Sequence, residues 1–274
     1  MEATGIAVVT GASRGIGRAV AFELAARGFD TVATMRDPGD GAELLDEAER
    51  AKATLRVAAL DVTRPETIDL PEGLRVLVNN AAVEKPHLPF EETPIGLWRE
   101  MFEANVFGLI EVTRRAIPLL RAGGGGVLCN ITSSSMFAPV PFYAAYRAGK
   151  AAVSAIGESL RTELAPFGIR VVEIVPGPID TDMLRSSAEP PDALRYEPYR
   201  PMAERTHEGR LGIADMITPA SEAAAAIVDA ILDDDAPLRS GCDPLGRGLL
   251  DAWRGASDEE MMRNMLGTWV EPQP

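Results

Sequence analysis

The sequence predicts an α/β fold, a doubly wound parallel sheet of six or seven strands with helices on both faces. The first observation is a set of short apolar runs, rich in Val, Ile and Leu and continuous rather than alternating, which is typical of strands buried on both faces. The second is that helix-like stretches alternate with these runs. The runs are IAVVT (6–10), TVATM (31–35), LRVAAL (55–60), LRVLVN (74–79), GVLCNI (126–131) and IRVVEIV (169–175).

Between the apolar runs lie stretches with the length and composition of helices. Right-handed crossovers would place them on both faces of the sheet. At 93–94 and 218–219, Thr followed by Pro is typical of an N-cap and a first helical residue. Ser257 with Glu260 has the spacing of a capping box, as has a Thr–Glu pair at 63 and 66. The stretches are GIGRAVAFELAARG, AELLDEAERAK, PIGLWREMFEANVFGLIEVTRRAIPLL and FYAAYRAGKAAVSAIGESLRTELAPFG.

The chain of 274 residues predicts a single domain over residues 1–274. Residues 182–218 contain several prolines and show no clear periodicity. Segments of this kind inside a compact domain are typically functional lids or disordered, and we interpret this one as a substrate-binding lid. Residues 237–274 end in the amphipathic stretch SDEEMMRNMLGTW, and we expect a helical C-terminal extension there.

Composition and charge exclude several classes of protein. The formal net charge is −14, whereas a nucleic-acid-binding protein is expected to carry a basic face, so we exclude a nucleic-acid partner. No apolar run reaches the ~18 residues of a membrane span. Two cysteines and two histidines, without ligand-like spacing, predict neither a disulfide framework nor a metal site. The start MEATGIAVVTGAS lacks signal-peptide features, so we expect a cytoplasmic protein.

A glycine-rich turn follows the first strand, in TGASRGIG (10–17). Such a strand-to-helix turn brings backbone close to a ligand, and the helix N-terminus offers unpaired N–H groups to a pyrophosphate. The spacing G-x-x-x-G-x-G differs from the usual dinucleotide fingerprint, and a glycine cluster can also be a plain turn. The predicted cofactor contacts are Gly11, Ser13, Arg14, Gly15, Ile16 and Gly17.

The end of the second strand favours NADP(H) over NAD. An acidic residue there would bind the ribose 2′-hydroxyl of NAD, whereas an arginine accommodates a 2′-phosphate. The strand ends in Met35-Arg36, and Arg14 in the glycine turn could reach the same phosphate. The alternative is that both arginines are solvated surface residues. Asp61, after the third strand, is a candidate for the adenine amino group or else a turn residue.

Two tyrosines and a lysine lie in FYAAYRAGKAAV (142–153). Tyr146 and Lys150 are four residues apart and share a helix face, whereas Tyr143 is seven residues from Lys150. An ammonium beside a phenol favours the phenolate and brings its pKa nearer to neutrality. The pattern Y-x-x-x-K is common, so this stretch alone leaves open an ordinary helix with a packed Tyr and a solvated Lys.

Taken in order, the motifs resemble those of the short-chain dehydrogenase/reductase family in its single-domain form. The resemblance covers roughly residues 5–182 and implies a Rossmann-type sheet. Counting back thirteen residues from Tyr146, as the family does, reaches Ser133 in ITSSS. The matching motifs are T-G-x-x-x-G-x-G (10–17), D-V (61–62), N-N-A-x (79–82), Asn105 in the long helix, Ser133, Y-x-x-x-K (146–150) and P-G-x-x-x-T (176–181).

The resemblance implies an NADP(H)-dependent oxidoreductase that interconverts a ketone or aldehyde and an alcohol. It implies that Tyr146 transfers the proton and Ser133 holds the substrate oxygen. It also implies that Lys150 binds the nicotinamide ribose and lowers the phenol pKa, and that Asn105 holds a water linking Lys150 to solvent. The further implied cofactor contacts are Arg36, Asp61, Val62, Asn79, Asn80, Ala81, Tyr146, Lys150, Pro176, Gly177, Ile179 and Thr181.

The sequence departs from the family pattern in a few places. Ala82 replaces the usual glycine after NNA. PLRSGCDPLGRGLLDAWRG (237–255) leads to a helical tail instead of a final strand with a glycine pair, which resembles the steroid and retinol dehydrogenase branch. Lid residues including Met183, Leu184 and Tyr196 are consistent with an apolar substrate, although packing explains them as well. Tyr143 is interpreted as packing or as a substrate contact.

Other functions and assemblies stay open at this point. A non-catalytic nucleotide-sensing or scaffold protein could keep this fold, but it would be expected to lack Tyr146 or Lys150, and both are present. A nucleotide-sugar epimerase of the extended family would need a longer C-terminal domain and another glycine spacing. We expect a small carbonyl or alcohol substrate and a homodimer or homotetramer.

Overall fold

The computed structural model describes residues 1–84, 86–187 and 189–269. Over these ranges the centre of the molecule is a parallel sheet of seven strands in the order β3-β2-β1-β4-β5-β6-β7. The predicted doubly wound α/β fold is therefore confirmed. The strands are β1 (Ile6–Val9), β2 (Asp30–Met35), β3 (Leu55–Ala59), β4 (Leu74–Asn79), β5 (Gly126–Ile131), β6 (Ile169–Ile174) and β7 (Arg239–Ser240).

Helices connect the strands and cover both faces of the sheet. A π-helical turn at Glu103–Phe107 joins α3 to α4, so the predicted long helix is interrupted at Asn105. The helices are α1 (Gly15–Arg27), α2 (Ala42–Ala51), α3 (Ile95–Phe102), α4 (Gly108–Ala122), α5 (Ala144–Leu164), α6 (Asp182–Ser187), α7 (Arg200–Leu211), α8 (Ala220–Leu232), α9 (Pro244–Gly255) and α10 (Asp258–Trp269).

The apolar core lies on both faces of the sheet, as continuous apolar strands require. In β4, Val76 and Val78 belong to the cluster that contains residues of α1 and α8. Leu74 and Leu77 of the same strand belong to the cluster on the other face, with residues of α4 and α5. Each buried aliphatic side chain contributes about 1.5–3 kcal/mol. This two-sided core fixes the strand ends that carry the site.

The strand order reverses at β1, which pairs with β2 on one side and with β4 on the other. In open parallel sheets, ligands bind in the crevice outside the carboxyl ends of the strands at such a switch point. The glycine turn follows β1, and Asn80 and Ala81 follow β4. The topology therefore places the predicted cofactor motifs at one edge of the sheet.

The segment 182–218 is more regular than its sequence indicates. Its described residues include α6 and α7 with short 3-10 turns between them, so the expectation of an aperiodic segment is wrong. Pro191 precedes one 3-10 turn, and Pro198 and Pro201 lie in the first turns of the next two helical elements. Proline is tolerated there because the first N–H groups of a helix have no intrahelical acceptor. Ala188 lies outside the described residues.

The predicted caps have mixed outcomes. The Ser257–Glu260 capping box is confirmed, with reciprocal backbone-to-side-chain hydrogen bonds of 3.3 Å. The capping box at 63 and 66 is wrong, because the Thr63 hydroxyl donates to Asp61 Oδ1 at 2.7 Å. Thr93 is not the N-cap of α3 either, since its hydroxyl donates to the carbonyl oxygen of Pro89 at 2.8 Å and the helix begins two residues later.

The C-terminal part contains the short strand β7 before its helices. Residues 237–255 therefore do contribute a strand, and α9 and α10 follow it. The predicted helical extension also included residues 270–274, which lie outside the described residues. Neither these helices nor any other within the described ranges is long and apolar enough to cross a membrane.

Candidate active site

The glycine turn after β1 packs directly against the loop after β4. Gly11 has φ 66° and Gly15 has φ 58°, in the left-handed region that favours glycine. A Cβ on Gly11 would lie 2.8 Å from the Cα of Ala81, and one on Gly15 would lie 3.1 Å from Cγ2 of Thr181. A side chain at either position would fill the narrow space between these loops. The turn thus offers bare backbone to a ligand, which fits a pyrophosphate.

Polar side chains at the ends of β1 and β4 hold this turn in place. The Thr10 hydroxyl accepts from the N–H groups of Asn80 and Ala81, at 3.0 and 3.1 Å. Nδ2 of Asn80 donates to the carbonyl oxygens of Thr10 and Gly11, both at 3.0 Å. Asn79 instead points into the fold, where Nδ2 donates to Thr113 at 2.9 Å and to Asn130 at 3.0 Å. Asn80 therefore holds the glycine turn, whereas Asn79 links β4 to β5 and α4.

The two predicted phosphate-binding arginines lie at the exposed end of the crevice. Arg14 has a side chain 72% exposed, and its Nη1 lies 3.7 Å from Oδ2 of Asp182 at the start of α6. Arg36 follows β2 and is exposed. Neither guanidinium is buried in the fold, so both remain accessible to a phosphate group.

Asp61 is tied to its own turn. Its Oδ1 accepts from the N–H and the hydroxyl of Thr63, at 2.9 and 2.7 Å. Burial acts to raise the pKa of Asp61, but these hydrogen bonds and the charges of Arg36 and Arg64 hold it below its ordinary value. The residue is thus ionised at neutral pH and holds its own turn, while its contact with the adenine stays a prediction. Val62 beside it packs against Gly108 of α4.

Tyr146 and Lys150 lie in the first two turns of α5. Nζ of Lys150 donates to the carbonyl oxygen of Ile131 at 2.8 Å, and the side chain is 5% exposed. Burial lowers the pKa of Lys150 to about 8, against the opposing effect of the Glu84 carboxylate. The ammonium lies 5.8 Å from the centroid of the Tyr146 ring. The helix therefore presents both groups at the end of β5.

Ser133 and Tyr146 meet at the same place. Ser133 follows β5, and a hydrogen bond between its side chain and the Tyr146 hydroxyl acts to lower the phenol pKa. Burial has the larger effect and raises the pKa of Tyr146, and the Glu84 charge adds to it. The lowering expected from Lys150 is not among the effects that shift the pKa of this phenol. The structure brings Ser133, Tyr146 and Lys150 together, with the phenol protonated at neutral pH.

Asn105 lies in the π-helical turn between α3 and α4 and is 2% exposed. Its Oδ1 accepts from the N–H of Val83 at 2.8 Å, and its Nδ2 donates to the Val83 carbonyl at 2.9 Å. The turn also lies close to α5, since a Cβ on Gly149 would be 3.9 Å from that of Asn105. π-Bulges occur frequently at functional sites. Asn105 therefore ties the loop after β4 to the turn beside Lys150.

The loop from Pro176 to Thr181 closes the crevice on the other side. The N–H of Gly177 donates to Oδ2 of Asp243 at 2.6 Å, and Asp243 also caps α9. Ile179 is buried and pairs with Thr218 in a short bridge. Thr181 accepts from the N–H of Leu184 at 3.2 Å and starts α6. The role of Asp243 was not predicted from the sequence, although an aspartate directly before a proline is typical of a helix N-cap.

A charged group beside Tyr146 was also missed. Glu84, His87 and Arg210 form a hydrogen-bonded set around Tyr143, which we call the lid cluster. Glu84 follows NNAA at the carboxyl end of β4, and this position in the sequence could have indicated that it lies near the site.

Among residues 1–84, 86–187 and 189–269, no group of three or more His, Cys, Asp or Glu side chains is arranged to hold a metal ion.

Comparisons with known sequences point to one family. The model of the short chain dehydrogenase family matches residues 5–192. The Bacillus subtilis (strain 168) oxidoreductase YusZ is 36% identical over 208 residues, which are 71% of this chain and 74% of the relative. Rat estradiol 17-beta-dehydrogenase 2 is 37% identical over 190 residues, which are 65% of this chain and 49% of the relative. The chain thus spans about half the length of the rat enzyme.

Solved structures agree with the sequence comparison. A short-chain dehydrogenase of Burkholderia cenocepacia J2315, in complex with NADP, has a TM-score of 0.75 at 25% identity and covers 97% of this chain and 99% of its own. A Burkholderia phymatum enzyme in complex with NAD has a TM-score of 0.77 at 23% identity, covering 100% and 99%, and shows the fold alone. Because the family match spans the glycine turn, the sheet and the helix of Tyr146, the chain belongs to the short-chain dehydrogenase/reductase family of oxidoreductases.

Proposed function

We propose that this protein is an NADP(H)-dependent oxidoreductase that interconverts a ketone or aldehyde and an alcohol by hydride transfer. One observation carries the proposal: Ser133, Tyr146 and Lys150 lie together at the carboxyl edge of the sheet, beside the glycine turn. An alkoxide that forms during reduction needs a proton and a hydrogen-bond donor. These side chains supply both.

The cofactor assignment rests on the crevice and its two arginines. NADPH, when bound, supplies the hydride that reduces the carbonyl carbon. The turn from Gly11 to Gly17 holds the pyrophosphate with its N–H groups, and Arg14 and Arg36 bind the 2′-phosphate. The loop from Pro176 to Thr181 contacts the nicotinamide end. Structural neighbours are known in complex with NADP and with NAD, so the choice of NADP rests on the two arginines.

The catalytic roles follow from protonation states and contacts. Tyr146 donates the proton to the developing alkoxide, and its raised pKa keeps the phenol protonated at neutral pH. Ser133 donates a hydrogen bond to the substrate oxygen. Lys150 binds the nicotinamide ribose, and Asn105 supports the water path to Lys150 by fixing the π-helical turn.

The remaining parts of the chain are assigned to substrate binding and assembly. We assign residues 1–274 to one domain, residues 182–218 to the lid and residues 237–274 to a C-terminal extension. An apolar substrate is supported by Leu88 and Met101, which line a small cavity against Tyr146. The name of the rat relative, estradiol 17-beta-dehydrogenase 2, is in keeping with this class. We place the protein in the cytoplasm as a homodimer or homotetramer.

The test is the oxidation of NADPH and of NADH, followed by absorbance, against a panel of ketones, aldehydes and quinones. We expect turnover with at least one carbonyl class, a lower KM for NADPH than for NADH, and a loss of about 10²–10⁴-fold in kcat for Tyr146→Phe. A Tyr146→Phe enzyme as fast as the parent would remove the catalytic assignment. Tighter binding of NADH than of NADPH would remove the assignment of Arg14 and Arg36.

A further inference from the structure

The lid cluster connects two opposite charges through a neutral imidazole. Oε1 of Glu84 lies 2.8 Å from Nε2 of His87, and Nη2 of Arg210 lies 3.0 Å from Nδ1 of the same ring. Arginine is always a donor, so Nδ1 accepts and carries no proton. The ring proton is then on Nε2 and is donated to Glu84. His87 thus bridges the carboxylate of the β4 loop to the guanidinium of α7.

Further contacts satisfy the two charges within the protein. The Ser187 hydroxyl donates to Oε2 of Glu84 at 3.0 Å. Arg210 donates to the Ser187 carbonyl and to the Tyr143 hydroxyl, and its guanidinium carbon lies 4.8 Å from the centroid of the Tyr143 ring. His87 stacks on Tyr143 at 4.0 Å with an interplanar angle of 20°. Both charges therefore have partners among the described residues.

The cluster lies at the reaction site. The rings of Tyr143 and Tyr146 make an edge contact, with centroids 6.3 Å apart. The carboxylate of Glu84 acts on the pKa of both Tyr146 and Lys150. The side chains of Glu84 and His87 are 13% and 10% exposed, so water screens the charge of Glu84 only weakly. A substrate carbonyl held by Ser133 and Tyr146 must lie beside this cluster.

We propose that Glu84 and Arg210 form a specificity-determining pair that restricts the pocket to carbonyl substrates without an ionic group. This inference deepens the proposed function and rests on it. Each charge has partners among the described residues, and within that part of the chain the cluster offers an ionic group on a substrate no free counter-charge. It would also lose its hydration on entering the pocket, which is costly without a partner.

Removal of either partner should reverse this selectivity. Without the carboxylate, Arg210 becomes an unpaired cation that favours an anionic substrate; without the guanidinium, Glu84 favours a cationic one. Specificity is a difference between the affinities for two substrates. The ratio of kcat/KM for a charged ketone to that for a matched neutral ketone therefore measures this selectivity. Variants Glu84→Gln and Arg210→Gln remove one charge each and keep hydrogen-bonding groups in place.

The experiment compares three ketones that differ only at the para position: 4-methylacetophenone, 4-acetylbenzoate and 4-(aminomethyl)acetophenone. With NADPH, the parent should favour the neutral ketone in kcat/KM by about tenfold or more over both charged ones. Glu84→Gln should raise the benzoate-to-neutral ratio by about tenfold, and Arg210→Gln should raise the aminomethyl-to-neutral ratio similarly. The double variant should shift both ratios less than the single variants do.

The matched controls are Asp30→Asn and Arg56→Gln, an exposed ion pair with a 3.0 Å contact at the amino-terminal edge of the sheet. They should leave all three ratios unchanged. The proposal is overturned if both cluster variants change the ratios by less than twofold, or if both shift them in the same direction.

A binding measurement separates this proposal from the proposed function. Equilibrium dialysis with Tyr146→Phe and NADPH gives dissociation constants for the same ketones without turnover. If the parent turns over none of them, the proposed function fails for this substrate class, while the dissociation constants of the charge variants still decide whether the pair selects against ions. Equal dissociation constants for all three ketones in every variant would reject it.

Discussion

Two largely buried carboxylates act on α5, the helix that carries Tyr146 and Lys150. Glu173, near the carboxyl end of β6, is 1% exposed and accepts from Thr132 at 3.0 Å, Ser154 at 2.9 Å and Arg239 at 3.1 Å. Glu84 is 13% exposed and is bonded to His87 and to the lid. The partners of Glu173 lie directly after β5, on β7 and on α5, whereas those of Glu84 lie on a loop and the lid.

The difference shows that burial of a charge does not by itself define its role. Thr132 precedes Ser133, and Ser154 lies one turn after Lys150, so Glu173 joins the two elements that carry the proposed catalytic side chains. It therefore stabilises the framework of the site. The charge of Glu84 instead acts on Tyr146 and Lys150, and we propose that it influences which substrates are accepted. Variants of the two residues should separate stability from selectivity.

The largest effect is expected for Glu173, on the free energy of unfolding. Glu173→Gln leaves Arg239, which is 13% exposed, without its buried partner, and should lower the free energy of unfolding by about 3–5 kcal/mol. Denaturant titration measures this. Glu158→Gln is the matched control, because Glu158 pairs with the same Arg239 but is 53% exposed, and should cost under about 1 kcal/mol. Equal losses in the two variants would show that Glu173 has no special structural role.

The next effect is a pH dependence of stability from Lys150, whose pKa is affected by the Glu84 carboxylate. Its pKa is lowered from 10.5 to about 8 by burial, so the folded protein releases this proton before the unfolded chain does. Between these values the unfolded state binds more protons, and stability rises with pH by about 1.4 kcal/mol per unit. Below about pH 8 both states hold the proton and the buried charge lowers stability fully.

The measurement is the unfolding free energy of the parent minus that of Lys150→Met, from pH 7 to pH 10.5. The difference should rise by about 3 kcal/mol over this window. Glu84→Gln should move the start of the rise to lower pH, because the Glu84 carboxylate partly offsets the effect of burial. A flat difference across the window would show that Lys150 is not buried as described.

The smallest effect is expected for Tyr143, whose hydroxyl belongs to the lid cluster. Tyr143→Phe keeps the stack on His87 and removes the acceptor for Arg210, so KM for the substrate should rise a few-fold with kcat nearly unchanged. Steady-state kinetics beside Tyr146→Phe test this. A loss in kcat as large as that of Tyr146→Phe would mean that the two tyrosines act together in the chemistry.

The sequence predicted those features that depend on local spacing. Continuous apolar runs identified the buried strands, and the spacing of Tyr146 and Lys150 identified a shared helix face. Glu173 was not singled out, because it lies inside the apolar run IRVVEIV. The lid cluster was not predicted either, since His87 and Arg210 are 123 residues apart in sequence and meet only through the tertiary fold. Prolines obscured the lid helices because they lie at helix starts.

The central claim is that the protein reduces a carbonyl with hydride from NADPH at the site formed by Ser133, Tyr146 and Lys150. NADPH carrying deuterium at the transferred position of nicotinamide C4, incubated with the protein and its best carbonyl substrate, tests this directly by mass spectrometry. We predict one deuterium on the carbinol carbon of the product for the parent, and a yield at least about 100-fold lower for Tyr146→Phe. Alcohol formed without deuterium, or formed equally by both proteins, would contradict the account.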